Sequence, residues 1–129
     1  LIRYCNHGGM IALEVEDAVT SLFKSKTKPD AFFTAGDRLT TVCLGILKRM
    51  KSKKEVGFTG FTNTTLSDLF SPSLTVIRQP AFEIGQTATE LLVQMIESKR
   101  PITEFETRIL ETELIVRESS LAKDLEIRT

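Results

Sequence analysis

The chain has 129 residues, 41% of them apolar and 26% charged, with 17 acidic residues against 17 Lys plus Arg. That is one ordinary globular domain's worth of chain, long enough to bury a core. A zero formal charge argues against a nucleic-acid surface on this stretch, because such surfaces need a basic excess to displace counterions from phosphates.

No apolar run approaches the roughly 20 residues that a membrane helix requires. Leu1 to Cys5 lacks the charged start and long apolar run of a signal peptide, which points to a cytoplasmic chain. The chain starts at Leu1, inside an apolar run and without an initiator Met, and we read it as a piece of something longer. Cys5 and Cys43 have neither metal-site nor redox spacing and read as core thiols.

The elements follow in order. Leu1 to Cys5 reads as a strand opening into the loop Asn6-His7-Gly8-Gly9. Ile11, Val15, Ala18, Val19 and Leu22 recur at helical spacing, and the segment from Lys24 to Pro29 ends that helix. Residues 30–35 (DAFFTA) read as a buried strand of the kind that parallel sheets use. Leu39, Val42, Cys43, Ile46, Leu47 and Met50 form the stripe of a second helix with a basic C-terminal end, Lys48, Arg49, Lys51, Lys53 and Lys54. Residues 55–61 (EVGFTGF) make the next strand.

A short helix is expected over Thr64 to Phe70, stopped by Pro72, and then a strand over Leu74 to Arg78. A third long helix carries Phe82, Ile84, Ala88, Leu91, Leu92, Met95 and Ile96, entered through Pro80 and closed by Lys99, Arg100 and Pro101. Arg108 to Arg117 reads as a last strand, followed by a charged tail over residues 121–129. Strands alternating with helices imply right-handed crossovers, hence an α/β fold with a doubly wound, mostly parallel sheet and helices on both faces.

In such sheets ligands bind beyond the carboxyl ends of the strands. The loops there are Asn6-His7-Gly8-Gly9, Gly36-Asp37-Arg38, Thr62-Asn63-Thr64 and Gln79, and a parallel arrangement brings them to one edge. Each residue has a second reading. Asp37 stands at a helix start, where its carboxylate can cap the first turn. Gly36 serves either a turn or a close approach. His7, the single histidine, either contacts a ligand or bonds a loop carbonyl. Asn63 either makes an Asx-turn or binds ligand, and Gln79 either satisfies loop backbone or faces the ligand.

Catalytic motifs are absent from the sequence: no GxSxG elbow, no phosphate loop and no HExxH, and the single His has no nucleophile or second ligand at motif spacing. No cofactor or metal is expected, and binding is the better reading than enzymatic catalysis.

Five segments resemble the LacI/GalR family of bacterial transcription regulators. Residues 28–39 (KPDAFFTAGDRL) resemble the family's PDAIFAANDxxA, and residues 56–63 (VGFTGFTN) its VxVVGFDD. Residues 71–80 (SPSLTVIRQP) are similar to PPLTTIRQP, and residues 82–96 to the xxEIGxxAxELLxxxI that follows it. Residues 114–120 (LIVRESS) match the usual ending, so the resemblance covers about residues 1 to 120.

The resemblance implies a periplasmic-binding-protein-like core of two subdomains that close on a small effector, a sugar or another metabolite. In the family an upstream helix-turn-helix head reads operator DNA and is not part of this stretch. Residues 1–79 with 105–120 would form the C-terminal effector-binding subdomain, and residues 80–104 a helix of the otherwise absent N-terminal subdomain. The effector-binding set implied is His7, Met10, Gly36, Asp37, Thr62, Asn63 and Gln79. Two positions depart from the family pattern: Thr62 stands where an Asp is common, and Gly36 where an Asn is frequent. Leu66, Leu69 and Phe70 would lie at a dimer interface, with core packing as the alternative.

A homodimer without membrane contact is the partner expectation. The apolar stripe on the third long helix should not stay in water. It is expected to fold back on its own chain or to pair with a second copy, by exchange of the 82–100 helix and final strand. The competing classes are a solute-binding component of a sugar transporter, which shares the fold, and a flavodoxin-like or receiver-type signalling domain.

Overall fold

The computed structural model describes residues 2–4, 11–50, 56–98 and 106–121. The chain divides into two compact units, Leu1–Arg78 with Leu114–Thr129, and Gln79–Glu113.

The larger unit is built on helices α1 (Ile11–Lys24) and α2 (Asp37–Arg49) and strands β1 (Ala31–Thr34), β2 (Gly57–Phe61) and β3 (Thr75–Arg78), with the short β4 (Glu113–Ile115) at the unit boundary. The sheet order is β1-β2-β3-β4. β1 pairs parallel with β2, Phe32 opposite Phe58 and Thr34 opposite Gly60, and β2 pairs parallel with β3, Gly60 opposite Val76. The expected α/β architecture with a mostly parallel sheet is therefore present.

α1 forms because its apolar residues fall on one stripe: Ile11, Val15, Val19 and Leu22 are all buried. It ends where the Ser25 hydroxyl donates to the Leu22 carbonyl at 2.7 Å, removing an orphan acceptor of the last turn. α2 buries Thr40, Cys43 and Ile46 in the same way and carries Lys48 and Arg49 in its last turn, where cations suit the helix dipole. The two helices share one core with Phe58, Leu74 and Val76, and Phe23, Phe32, Leu39, Val42, Leu47 and Ile115 pack against it. Phe23 meets Phe32 with ring centroids 5.9 Å apart. The Arg49–Glu16 ion pair across the helices is exposed and adds little beside the apolar burial.

Polar groups hold the sheet at both ends. At its carboxyl edge the Thr40 hydroxyl lies 2.7 Å from both the Thr34 hydroxyl and the Phe61 carbonyl. Gly60 sits beneath this pair: a Cβ there would fall 2.0 Å from the Thr34 hydroxyl and 2.7 Å from the Thr40 hydroxyl. At the opposite edge Ser119 is buried, donates to the Phe58 carbonyl at 2.7 Å and accepts the Thr75 N–H at 2.8 Å. Beside it Arg117 donates to the buried Ser67 hydroxyl at 2.9 Å and to the Leu74 carbonyl at 3.0 Å. Glu118 accepts the Ser73 N–H and hydroxyl at 2.9 and 3.0 Å. These two bonds hold its carboxyl below the ordinary value of 4.5.

Several expectations are corrected. Residues 2–4 form no strand, and Ile2 and Tyr4 are solvent-exposed; an extended segment without ladder partners has little to stabilise it. The helix expected over Thr64 to Phe70 is a hydrogen-bonded turn at residues 65–68, closed by one backbone bond from Leu69 to Leu66. There the Thr62 and Thr64 hydroxyls accept the N–H groups of Thr64 and Leu66, local bonds that compete with helix formation. The last strand shrinks to Glu113–Ile115, since residues 108–112 take no regular form.

The smaller unit carries α3 (Ala81–Ser98), none of whose residues is buried. Phe82 is 83% and Ile96 67% exposed. Cys43 is buried as expected. Cys5, the basic residues Lys51, Lys53 and Lys54, and the Lys99-Arg100-Pro101 stop lie outside the described residues.

Two outcomes follow from the packing at the sheet edges. Gly60→Ala should lower the unfolding free energy by about 1–3 kcal/mol, read by urea denaturation, because the added methyl must displace two buried hydroxyls. For Glu118 the folded-state value is the lowered one, so its contribution is fully present above about pH 4.5 and is lost as the pH falls through the folded value. The stability gap between wild type and Glu118→Gln should therefore be constant near neutrality and close on acidification.

Candidate functional site

The site is assembled where β1 and β2 end. β1 stops at Thr34, and the chain turns through Ala35 and Gly36 into α2. Gly36 is the N-cap of α2, with φ −175 and ψ 151 and no side-chain cap bond. That is extended backbone open to any residue, and a Cβ at Gly36 would meet nothing within 4 Å. Neither the turn nor the packing requires glycine here, so its effect is to leave space at the loop edge.

Asp37 is the first residue of α2 rather than its cap, which corrects the capping reading. Its carboxylate turns instead to the neighbouring loop, where the Thr62 hydroxyl donates to Oδ1. Thr62 is only 3% exposed. Its N–H donates to the Ile77 carbonyl at 3.2 Å, and its hydroxyl accepts the Thr64 N–H at 3.2 Å. One side chain thus joins the loop after β1 to the loop after β2, while its backbone keeps the exit of β2 paired to β3.

Of the other residues expected at the site, Asn63 is exposed beside Thr62, and Gln79 is exposed after β3 with its carbonyl accepting the Ala81 N–H at 2.8 Å. Gly36, Asp37 and Thr62 are brought together; Gln79 belongs to the smaller unit. His7 and Met10 lie outside the described residues. Above the same strand ends, Phe33 and Phe61 meet edge to face at 6.0 Å. Sequence reasoning did not single out this pair, although its spacing from Gly36 and Thr62 was there to read.

Leu66, Leu69 and Phe70 are 55%, 76% and 42% exposed, so they are not core residues. A second feature was also missed: an open groove of about 840 Å³ at the starts of β1 and β2, lined by Asp30, Gly57, Pro72, Glu118 and Ser120 among others. It lies at the edge opposite the loops just described. Among the described residues no group of three His, Cys, Asp or Glu side chains could hold a metal ion, and no helix is long and apolar enough to cross a membrane.

The Asp37–Thr62 bond lies at the carboxyl edge of a parallel sheet, the edge at which open α/β sheets bind ligands. The periplasmic binding protein-like domain model matches residues 3–120, and the chain belongs to that family. Its relatives are regulators of the LacI/GalR type. It is 31% identical over 113 residues to the HTH-type transcriptional repressor PurR of Vibrio cholerae, covering 84% of this chain and 32% of that protein. It is 31% identical over 96 residues to the HTH-type transcriptional regulator RegA of Clostridium acetobutylicum, covering 73% of this chain and 28% of that protein. A LacI family regulator from Enterococcus faecium, solved with bound ribose, superposes with a TM-score of 0.64 at 28% identity over 84% of this chain and 40% of its own. The chain spans about a third of the length of the relatives it matches.

Proposed function

We propose that this chain is the effector-sensing and dimerisation part of a bacterial LacI/GalR-type transcription regulator, acting in the cytoplasm and without enzymatic activity. A small molecule binds against the exit loops of β1 and β2. Its binding shifts a two-state equilibrium that sets the operator affinity of a helix-turn-helix head carried by the whole regulator.

The single observation that carries this reading is the Asp37–Thr62 tie at the carboxyl edge of the parallel sheet, in a chain whose family match runs over residues 3–120. Similarity to the PurR and RegA regulators favours this role over a solute-binding component of a sugar transporter. The bound ribose of the Enterococcus faecium relative makes a sugar-sized, hydroxyl-rich molecule the first ligand to test. Asn63, Gln79, His7 and Met10 complete the proposed contact set.

Dimerisation is assigned to Leu66, Leu69 and Phe70, three large apolar side chains left in solvent on one turn. Burying each would contribute about 1.5–3 kcal/mol. The exposed stripe of α3 supports a second contact by exchange of that helix between copies.

Native mass spectrometry of the whole regulator that carries this chain, titrated with D-ribose and a panel of monosaccharides, should show a dimer that gains the mass of one small molecule per subunit. A dimer that gains none would count against the effector-site reading. Leu69→Glu should shift the dimer to monomer in sedimentation velocity at micromolar concentration, whereas an unchanged sedimentation coefficient would remove this turn from the interface.

A further inference from the structure

We infer that Arg117 and Ser67 are positioning residues of the dimer contact: the Arg117 guanidinium holds the buried Ser67 and so fixes the turn that presents Leu66, Leu69 and Phe70 to a second copy of the chain. The inference rests on the dimerisation reading above and names what keeps that surface in shape.

The turn has little of its own to hold it. Leu66, Leu69 and Phe70 are exposed, so their apolar area contributes little to its conformation. One backbone bond closes it, from the Leu69 N–H to the Leu66 carbonyl at 3.0 Å, and a single bond is a poor return for fixing a whole turn of backbone.

The anchor is Ser67, which lies between those side chains in sequence and is fully buried. Its carbonyl accepts the Leu74 N–H at 2.8 Å, and its hydroxyl accepts a bond from Arg117 Nη1 at 2.9 Å. The same Nη1 donates to the Leu74 carbonyl at 3.0 Å. A terminal guanidinium nitrogen carries two protons and can serve both acceptors at once. Ser67, Leu74 and Arg117 are therefore joined pairwise by three bonds, which tie the turn to the start of β3 and to the returning segment.

The rest of that segment serves the sheet. Glu118 bonds Ser73, Ser119 bridges the Phe58 carbonyl and the Thr75 N–H, and the Arg117 backbone N–H goes to the Thr75 hydroxyl. The Arg117 side chain reaches the turn instead. A surface whose side chains are already held in place loses less on association than one that must first be ordered. A two-fold interface uses the same patch on both copies, so any loss of order at this turn enters the dimer affinity twice.

The test is fluorescence-detected sedimentation velocity of the whole regulator that carries this chain, from nanomolar to micromolar concentration. It gives the dimer dissociation constant for wild type, Arg117→Met, Arg117→Lys, Ser67→Ala and Glu118→Gln, and the thermal midpoint of each is measured beside it. Arg117→Met keeps an apolar stem and removes both Nη1 bonds. It should weaken the dimer by about tenfold or more, the scale of one hydrogen bond to a charged group. Ser67→Ala loses the acceptor on the turn alone and should weaken the dimer by a smaller factor, while Arg117→Lys keeps a donor and should recover most of the affinity. Glu118→Gln disturbs the same segment without touching the turn, and should lower the thermal midpoint at neutral pH while leaving the dimer constant unchanged.

Wild-type dimer affinity in folded Arg117→Met or in Ser67→Ala would overturn the positioning role, and Ser67→Ala decides alone where Arg117→Met does not fold. Equal weakening by Glu118→Gln would reduce the effect to general stability and overturn it as well. A dimer left intact by Leu69→Glu would remove the turn from the interface, so that the dimerisation reading itself fails and this inference with it.

Discussion

The hydroxyl of Thr40 is the point on which the upper edge of this sheet depends. It is almost fully buried, lies in the first turn of α2, and stands 2.7 Å from both the Thr34 hydroxyl and the Phe61 carbonyl. The backbone N–H of the same residue already serves the Gly36 carbonyl at 2.9 Å, so the side chain is left to reach across to β2. Two strands and a helix start are thereby fixed to one another by a single oxygen. A buried carbonyl such as that of Phe61 would otherwise carry the full cost of an unmade hydrogen bond. The arrangement is possible only because residue 60 has no side chain, the two hydroxyls occupying the volume a Cβ would need.

The opposite edge is held by a different device. There the returning segment Arg117–Ser120 supplies its own polar groups to β2 and β3, with Ser119 bridging the Phe58 carbonyl and the Thr75 N–H. The Thr75 hydroxyl accepts the Arg117 N–H at 2.7 Å and lies 2.8 Å from the Arg117 carbonyl. Residues more than 40 positions apart are joined at one end of the sheet. The loops after β1 and β2 at the other end are held separately, by the bonds of Thr40 and Thr62.

Much of this was legible in the sequence. The stripe Ile11, Val15, Val19 and Leu22 and the stripe through Cys43 and Ile46 report the two core-facing helices directly, because burial imposes the helical period on residue choice. The runs around Phe58 and Val76 report inner parallel strands for the same reason, whereas β1, read as a buried strand, is an edge strand with only Thr34 buried. What could not be read was decided by contacts distant in sequence or by local polar competition. Thr64 to Phe70 has an apolar pattern compatible with a helix, yet hydroxyl-to-backbone bonds from Thr62 and Thr64 end in a turn instead. Arg108 to Arg117 alternates like a strand, but only Glu113–Ile115 forms one, since pairing requires a neighbour and not a pattern alone. The candidate site was legible as a set of loops and illegible as a set of contacts: nothing in the spacing of residues 37 and 62 says that one would bond the other.

That bond alters how the departures from the family pattern should be understood. A threonine where an aspartate is common reads, in sequence, as the loss of a carboxylate from the site. In the structure the carboxylate is still there, supplied by Asp37 from the neighbouring loop and held by the threonine that stands in the usual place. The glycine before Asp37 likewise reads as the loss of an amide, and a Cβ there would, its chain neighbours aside, meet nothing within 4 Å. Thr62 without Asp37 would bury a hydroxyl that has lost its acceptor. The carboxylate thus stands at the same edge of the sheet as Thr62, carried by the first residue of α2.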